Sequence, residues 1–287
     1  MQPFLMFQGG HADKAMNFYV SLFDDGEALE VTRWQKGEQG AEGSINLARF
    51  RAAGQSVLAS DGPVKHAFDF TPSWSFFVDC ASDEKQRRLF ELPDGGRVLM
   101  PLDDTVQQPL RLGHRPLRRV LAAQSPLTRV EAPIKKETTM KIVTSLSFQG
   151  QCREAFEFYA KVLGGKITAA MPYGDAPPGM PITDEKYKTW LMHCWLDVGD
   201  QALMGADMDV GWAPNIDKPK NGFDVTLHTE DKAEAQRWFD QLSDGGKAVM
   251  PFGETFWSPG FGSLIDRFGV PWMVNVIPSA DWRPSQG

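Results

Sequence analysis

The chain has 287 residues and a mass of 32.0 kDa, about twice the usual size of one domain, so its length predicts two domains. Hydrophobic residues make up 42% and charged residues 23%, which excludes a disordered, collagen-like or coiled-coil chain. The formal net charge of −7 argues against nucleic acid as the main partner, and no apolar run approaches the roughly 20 residues of a membrane span. Three widely separated cysteines and the absence of a leader-like N-terminus predict a cytoplasmic protein without a disulfide framework.

An internal repeat divides the chain into two copies. The two copies share short motifs in the same order, and the spacing between the first two motifs is one residue shorter in the second copy. A period close to half the chain indicates duplicated domains and not a solenoid. The shared motifs are FQG at 7–9 and 148–150, FY at 18–19 and 158–159, and DGG at 94–96 and 244–246.

In the second copy, alternating and helical spacings predict one strand, one helix and three strands, and then the same order again. Gly164-Gly165 and Asp244-Gly245-Gly246 end the two helices. The pattern is therefore a βαβββ module that occurs twice in each copy. The predicted elements are strand Ile142–Phe148, helix Cys152–Val162, strands Ile167–Tyr173, Trp190–Val198, Gln201–Gly205 and Phe223–Thr229, helix Lys232–Leu242, and strands Ala248–Pro251, Gly262–Asp266 and Pro271–Ile277.

These segments resemble a known family. Through FQGQCREAFEFYAKVLGG, MPYGDAP, LMHCWLDVGD, DGGKAVMPFGETFW and GSLIDRFGVPWMVNV, residues 140–280 resemble the PhnB-like branch of the vicinal oxygen chelate superfamily, which has the glyoxalase, bleomycin-resistance and dioxygenase fold. Through FYVSLF, SFFVDC and DGGRVLMPL, residues 1–104 resemble the first two thirds of the variety named after a demethylubiquinone methyltransferase. No glycine-rich nucleotide-type turn follows a strand in either copy, so that name is not evidence of methyl transfer.

The resemblance implies an α+β protein of bacterial type, in which tandem βαβββ modules form mixed sheets that curl around a cavity. It also implies a small-molecule ligand and a homodimer. Residues 1–104 are then a first domain that lacks its closing strands, residues 140–280 a complete second domain, and residues 281–287 a C-terminal tail.

Residues 105–139 depart from the family and carry seven basic but only two acidic residues, which is typical of a basic linker. If the codons for residues 110–124 are read one base forward, a choice of synonymous codons exists for which the shifted frame encodes an amino-acid pattern like that of residues 261–275. We infer that a frameshift fused two neighbouring reading frames, and a biological fusion with a true basic linker is the alternative. The loss of the closing strands would leave the sheet of the first copy with an unpaired edge.

The resemblance also gives positions at which a metal site can be tested. Metal-dependent members of the superfamily place His, Gln or Glu near the start of each module and Glu on the last strand. We locate the first metal-ligand position by counting back from the Phe-Tyr pair in the first helix of each copy, and it falls on Thr144 in the second copy and on Phe4 in the first. The metal-ligand position on the last strand falls on Met273. The predicted strand Phe223–Thr229, which opens the second half of this copy, would supply either Phe223 or Asp224 to the site. Neither Thr144 nor Met273 suits a hard divalent ion, so we predict no metal and no other cofactor.

Candidate site residues come from the strand patterns and the aromatic content. Period-two alternation puts His193, a candidate general base, on one face with Leu191, Trp195 and Asp197. The candidates for the ligand cavity are Tyr173, Asp175, Trp195, His228, Trp257 and Met273.

We therefore predict a metal-free protein that binds an apolar or aromatic small molecule. The alternatives are a divalent-metal-dependent lyase, isomerase or dioxygenase-type enzyme, and an inert fusion product.

Overall fold

The computed structural model describes residues 1–63, 70, 73–79, 110–112, 115–117, 141–176, 184–211, 213 and 215–284. The first copy forms β1 (Gln2–Phe7), α1 (Ala12–Leu22), β2 (Glu27–Arg33), β3 (Ile45–Ala52), β4 (Gln55–Asp61) and β5 (Trp74–Asp79). Short strands β6 (Leu110–Leu112) and β7 (Arg115–Leu117) pair with each other in the predicted linker.

The second copy follows the predicted order of elements. Its first module is β8 (Lys141–Phe148), α2 (Cys152–Leu163), β9 (Lys166–Pro172), β10 (Leu191–Val198) and β11 (Gln201–Asp207). Its second module is β12 (Phe223–Thr229), α3 (Lys232–Ser243), β13 (Lys247–Gly253), β14 (Phe261–Ile265) and β15 (Pro271–Val276). Among the residues described, no helix is both long and apolar enough to cross a membrane.

The two copies exchange modules. An eight-stranded sheet, sheet A, has the order β13-β14-β15-β12-β1-β4-β3-β2, and a five-stranded sheet, sheet B, has the order β5-β8-β11-β10-β9. The antiparallel pair β1·β12 joins the copies in sheet A, and the antiparallel pair β5·β8 joins them in sheet B. Both sheets are mixed and neither closes on itself, which confirms the predicted α+β class.

One hydrophobic core connects both sheets and the three helices of the described residues. Tyr19 of α1 contacts Phe76 of sheet B at a ring-centroid distance of 5.6 Å, and Tyr159 of α2 contacts Trp272 of sheet A at 5.2 Å. The helices therefore pack against one side of sheet A and one side of sheet B, and both sides contribute to the common core. We call this side of each sheet its helix face and the opposite side its open face.

Buried carboxylates at the ends of β4 and β11 hold the starts of α1 and α2. The residues before these helices, His11 and Gln151, make no capping hydrogen bond with their side chains. The backbone N–H groups at these helix starts donate instead to a carboxylate on a neighbouring strand. Each carboxylate therefore connects a helix start to its sheet. Asp61 accepts from the backbone N–H groups of Ala12 (3.1 Å) and Ile45 (3.2 Å), and Asp207 accepts from those of Gly150 (2.7 Å), Cys152 (3.0 Å) and Leu191 (2.8 Å).

A third buried carboxylate, Asp266, joins α2 to the turn between β14 and β15. The Tyr159 hydroxyl donates to Asp266 at 2.6 Å and the Trp272 indole N–H donates at 2.9 Å. Two backbone N–H groups of the turn, from Phe268 and Val270, also donate to it at 2.8 and 2.9 Å. Burial raises the pKa of Asp266 and raises that of Tyr159 well above its ordinary value.

The corresponding tyrosine of the first copy, Tyr19, has no such acceptor among the described residues. Its ring stacks on Phe50, and burial alone raises the pKa of its hydroxyl. The acceptor would belong to the closing strands that the sequence predicts to be missing. In the described part of the chain β5 pairs only with β8, and residues 80–109 lie outside that part, so the unpaired edge stays a prediction.

The repeat supplies a matched test of the Asp266 cluster. Tyr159→Phe removes one hydrogen bond to a buried carboxylate, so we expect it to lower the free energy of unfolding by about 1–3 kcal/mol. Tyr19→Phe removes no hydrogen bond to a described residue and should change it by less than about 0.5 kcal/mol. Urea denaturation of the two full-length variants measures both values, and equal losses would contradict this account.

Candidate functional site

Polar side chains form a row along β12 on the open face of sheet A. Phe223, Val225 and Leu227 are buried in the core, so the alternation of the strand turns Asp224, Thr226 and His228 to the other side. The strand was correctly predicted, and the structure settles its register, which puts Asp224 and not Phe223 on the open face.

Neighbouring strands add side chains from both copies to this row. On one side β1 of the first copy places Phe4 opposite Asp224 and Gln2 opposite Thr226. On the other side β15 places Met273 beside Thr226 and Asn275 beside His228. The site therefore combines the first strand of the first copy with the second module of the second copy.

A chain of hydrogen bonds occupies one end of the row. Asn275 Nδ2 lies 3.3 Å from His228 Nδ1, His228 Nε2 lies 3.1 Å from Gln2 Oε1, and Gln2 Nε2 donates to Ser56 Oγ. Burial, the amino terminus and Arg49 lower the pKa of His228 to about 4. An uncharged imidazole that accepts at Nδ1 and donates at Nε2 satisfies both contacts, so both of its nitrogens are already engaged.

At the other end of the row, Asp224 and Thr226 lack hydrogen-bond partners in the described part of the chain. Burial raises the pKa of the half-buried Asp224 to about 7, and no described charge or donor offsets this effect. Thr226 is only 3% exposed, and its Oγ1 has no partner. Phe4 and Met273, both half-buried, give the two groups an apolar surrounding.

Aromatic side chains lie at the rim of the same face. Phe261 on β14 pairs with Asn275 of β15 and is half-buried. The Trp257 ring lies 5.5 Å from the Phe261 ring and is 44% exposed. Trp257 is thus an accessible aromatic group beyond Phe261, two strands away from the His228 end of the polar row.

Sheet B presents a chemically different open face. Its register puts Ser75 opposite Ser145, the position at which sheet A has Asp224 opposite Phe4. Trp195 and Asp197 share this face, where the Trp195 indole N–H donates to Asp197 at 2.8 Å. His193 is 3% exposed, and its ring lies 6.2 Å from that of Trp195.

The exchange of modules separates the predicted site residues into two groups. His228, Trp257 and Met273 belong to sheet A, whereas His193, Trp195, Tyr173 and Asp175 belong to the module of sheet B. Tyr173 donates to the Asp207 carbonyl at 3.1 Å, and Asp175 is exposed. Residues 177–183, which follow Asp175 along the chain, lie outside the described residues. The structure therefore does not bring the candidates into one cavity.

Two predicted positions lie on the opposite side of their strand. Thr144 lies on the helix face, in line with the buried Leu146. The spacing between the first strand and the first helix is one residue shorter in the second copy, so the same count back from the helix ends one residue too early. A shift of one residue along a strand moves the position to the opposite face. Leu191 lies in the core and not beside His193, because a register shift interrupts β10 between these two residues.

The residues at the superfamily's ligand positions do not fit a hard metal ion. In sheet A these positions hold Phe4, Asp224 and Met273, so one carboxylate stands with an aromatic ring and a thioether. Within the described ranges no group of three or more His, Cys, Asp or Glu side chains could hold a metal.

Sequence reasoning missed Thr226, Gln2 and Asn275 as members of the site. The strict alternation of apolar and polar residues in β12 was a usable signal for Thr226. Gln2 and Asn275 had no such signal, because they join the row only through the pairing of β1 and β15 with β12.

The raised pKa of Asp224 predicts a pH-dependent stability. Between about pH 4 and pH 7 the native state binds more protons than the unfolded state, so this group lowers stability as pH rises through that interval. Asp224→Asn should therefore raise the free energy of unfolding by about 1–3 kcal/mol above pH 7 and change it little at pH 4. Denaturation across this pH range tests it, with the exposed Asp281→Asn as the control. An effect that is equal at all pH values would contradict the prediction.

Each copy of the chain is similar in sequence to known proteins. The family described as 3-demethylubiquinone-9 3-methyltransferase matches residues 1–97 and 140–275. Protein YjdN from Escherichia coli strain K12 is 32% identical over 149 residues, which are 48% of this chain and 96% of YjdN. Protein PA1353 from Pseudomonas aeruginosa, a crystal structure, is 41% identical over 47% of this chain and 96% of its own, with a TM-score of 0.42.

A further likeness concerns the fold alone. The crystal structure of glyoxalase I from Zea mays covers 95% of this chain and 91% of its own at 14% identity, with a TM-score of 0.52. The family match spans both copies and more than half of the chain. The chain therefore belongs to the family described as 3-demethylubiquinone-9 3-methyltransferase, whose model matches each of the two copies.

Proposed function

We propose that the protein binds an apolar or aromatic small molecule on the open face of sheet A, without a bound metal. The observation that carries this proposal is the buried Thr226 hydroxyl, which has no hydrogen-bond partner among the described residues and lies on the same strand as Asp224. Small-molecule sites are mostly apolar and contain a few fixed polar groups that orient the ligand. Phe4 and Met273 supply the apolar surface, and Trp257 at the rim supplies an aromatic ring that can stack.

Binding fits the polar groups of this face better than catalysis does. Proton transfer needs an acid or base that can exchange a proton with the substrate. Both nitrogens of His228 are engaged by Gln2 and Asn275, and its pKa of about 4 keeps the ring uncharged near neutral pH. Asp224 is then the one ionisable side chain of the row that faces a ligand, and it serves as an anchor.

A fluorescent probe tests the location of the site. N-phenyl-1-naphthylamine, which is neutral and apolar, should gain fluorescence when it binds the full-length protein. Met273→Lys puts a charge into the apolar surrounding of Asp224 and Thr226, so we expect it to weaken binding by about tenfold or more.

Val249→Lys is the matched control, because Val249 on the edge strand β13 of the same sheet is 59% exposed and a charge there meets water. This variant should bind the probe like the wild type. Equal binding by the wild type and Met273→Lys would overturn the proposed location.

Metal analysis separates this function from the metal-dependent alternative. We expect elemental analysis of the purified full-length protein to find less than stoichiometric metal, and manganese, nickel or zinc ions to leave the melting temperature unchanged. A ligand that binds only the native state raises the melting temperature. Stoichiometric metal together with such a rise would favour the lyase, isomerase or dioxygenase-type enzyme.

A further inference from the structure

The unpartnered groups of β12 define the chemistry of one part of the ligand. Resting on the proposed function, we propose that the bound molecule carries a primary or secondary ammonium group, held by the Asp224 carboxylate and the Thr226 hydroxyl. The apolar part of the molecule would then lie along Phe4 and Met273 toward the Trp257 rim.

The two groups are placed to act together. They stand two residues apart on the same face of one strand, so their backbone positions are about 6.5 Å apart. Both are flanked by apolar side chains, Phe4 opposite Asp224 and Met273 beside Thr226. A single nitrogen with two N–H groups can donate one to each acceptor.

The neighbouring polar side chains already form hydrogen bonds to other residues. Gln2, which is opposite Thr226, uses its carbonyl for His228 and its amide nitrogen for Ser56. Asn275 donates to His228. None of them can turn toward Asp224 or Thr226 without breaking this hydrogen-bond chain, so a partner from outside the described residues costs the least.

The acceptor character of the pair selects a cation. A carboxylate among apolar groups gains most from an opposite charge and repels an anion. No described cation competes for it, since His228 is uncharged and the amino terminus and Arg49 act on His228, whereas burial alone shifts the pKa of Asp224. Phe4 is paired directly opposite Asp224, so a cation bound there would lie beside an aromatic side chain, whose ring face attracts positive charge.

Two ligands that differ only in the polar group test this inference. We expect 1-naphthylmethylamine to bind the full-length protein about tenfold tighter than 1-naphthylmethanol near pH 8, where Asp224 is ionised. Calorimetric titration measures both affinities. In Asp224→Asn the preference for the amine should fall to within about twofold while the alcohol still binds, and Asp281→Asn should keep the wild-type preference.

Thr226→Val separates ligand recognition from folding. It replaces an unpartnered buried hydroxyl with a methyl group of the same shape, so the free protein should be as stable as the wild type or more stable. The affinity for the amine should nevertheless fall about threefold or more, because one acceptor is lost. A variant that binds the amine like the wild type would show that Thr226 takes no part.

The outcomes distinguish the two proposals. If the alcohol binds and Met273→Lys abolishes its binding, but the amine binds no tighter, the ammonium inference is wrong and the proposed function stands. The same holds if Asp224→Asn keeps the preference for the amine. If neither compound binds, both proposals are wrong.

Discussion

The antiparallel pairing of β1 with β12 is the constraint on which the site depends. It joins Gln2 through Leu5 to Thr226 through Phe223 and makes sheet A one continuous layer from two copies. Because side chains alternate along a strand, a slip of one residue would turn Asp224, Thr226 and His228 into the core. The apolar partners of this register, Leu5 and Phe223, are buried, and their burial holds the register.

The exchange of modules also determines which sheet the predicted truncation of the first copy would affect. The strands that form the site, β1, β12 and β15, all come from modules that are complete, and the strands around them complete sheet A. The second module of the first copy contributes to sheet B instead, where β5 is its only described strand. The predicted loss of the closing segment would therefore weaken sheet B, and the Tyr19 hydroxyl, which has no acceptor among the described residues, agrees with that prediction. The eight described strands of sheet A pair with one another without a strand from that segment.

Most elements could be predicted from sequence because their signals are local. Alternation in β12 and helical spacing in α2 are readable within one segment, and both elements lie where they were predicted. The errors at Thr144 and Leu191 are errors of register, caused by an extra residue before α1 and by an irregularity in β10. The extra residue is visible in the spacing of the shared motifs, whereas the irregularity in β10 does not interrupt its apolar pattern and could not be seen in advance.

The composition of the site was not predictable in the same way. Either copy offers a first strand and an opening strand of similar character, so the sequence does not state which strand pairs with which. Gln2 reaches His228 across 226 positions of sequence only because the copies exchange modules. For that reason the predicted ligand set mixed residues of sheet A with residues of sheet B.

Three buried or half-buried aspartates of the second copy show how a structural carboxylate differs from one available to a ligand. Asp207 accepts hydrogen bonds from three backbone N–H groups, and Asp266 accepts from two backbone groups, an indole and a phenol. These donors offset the cost of burial and fix local geometry. Asp224 has the same cost, with a pKa of about 7, but no described donor offsets it. A carboxylate that lowers the stability of the free protein is better explained by what it binds than by what it holds together.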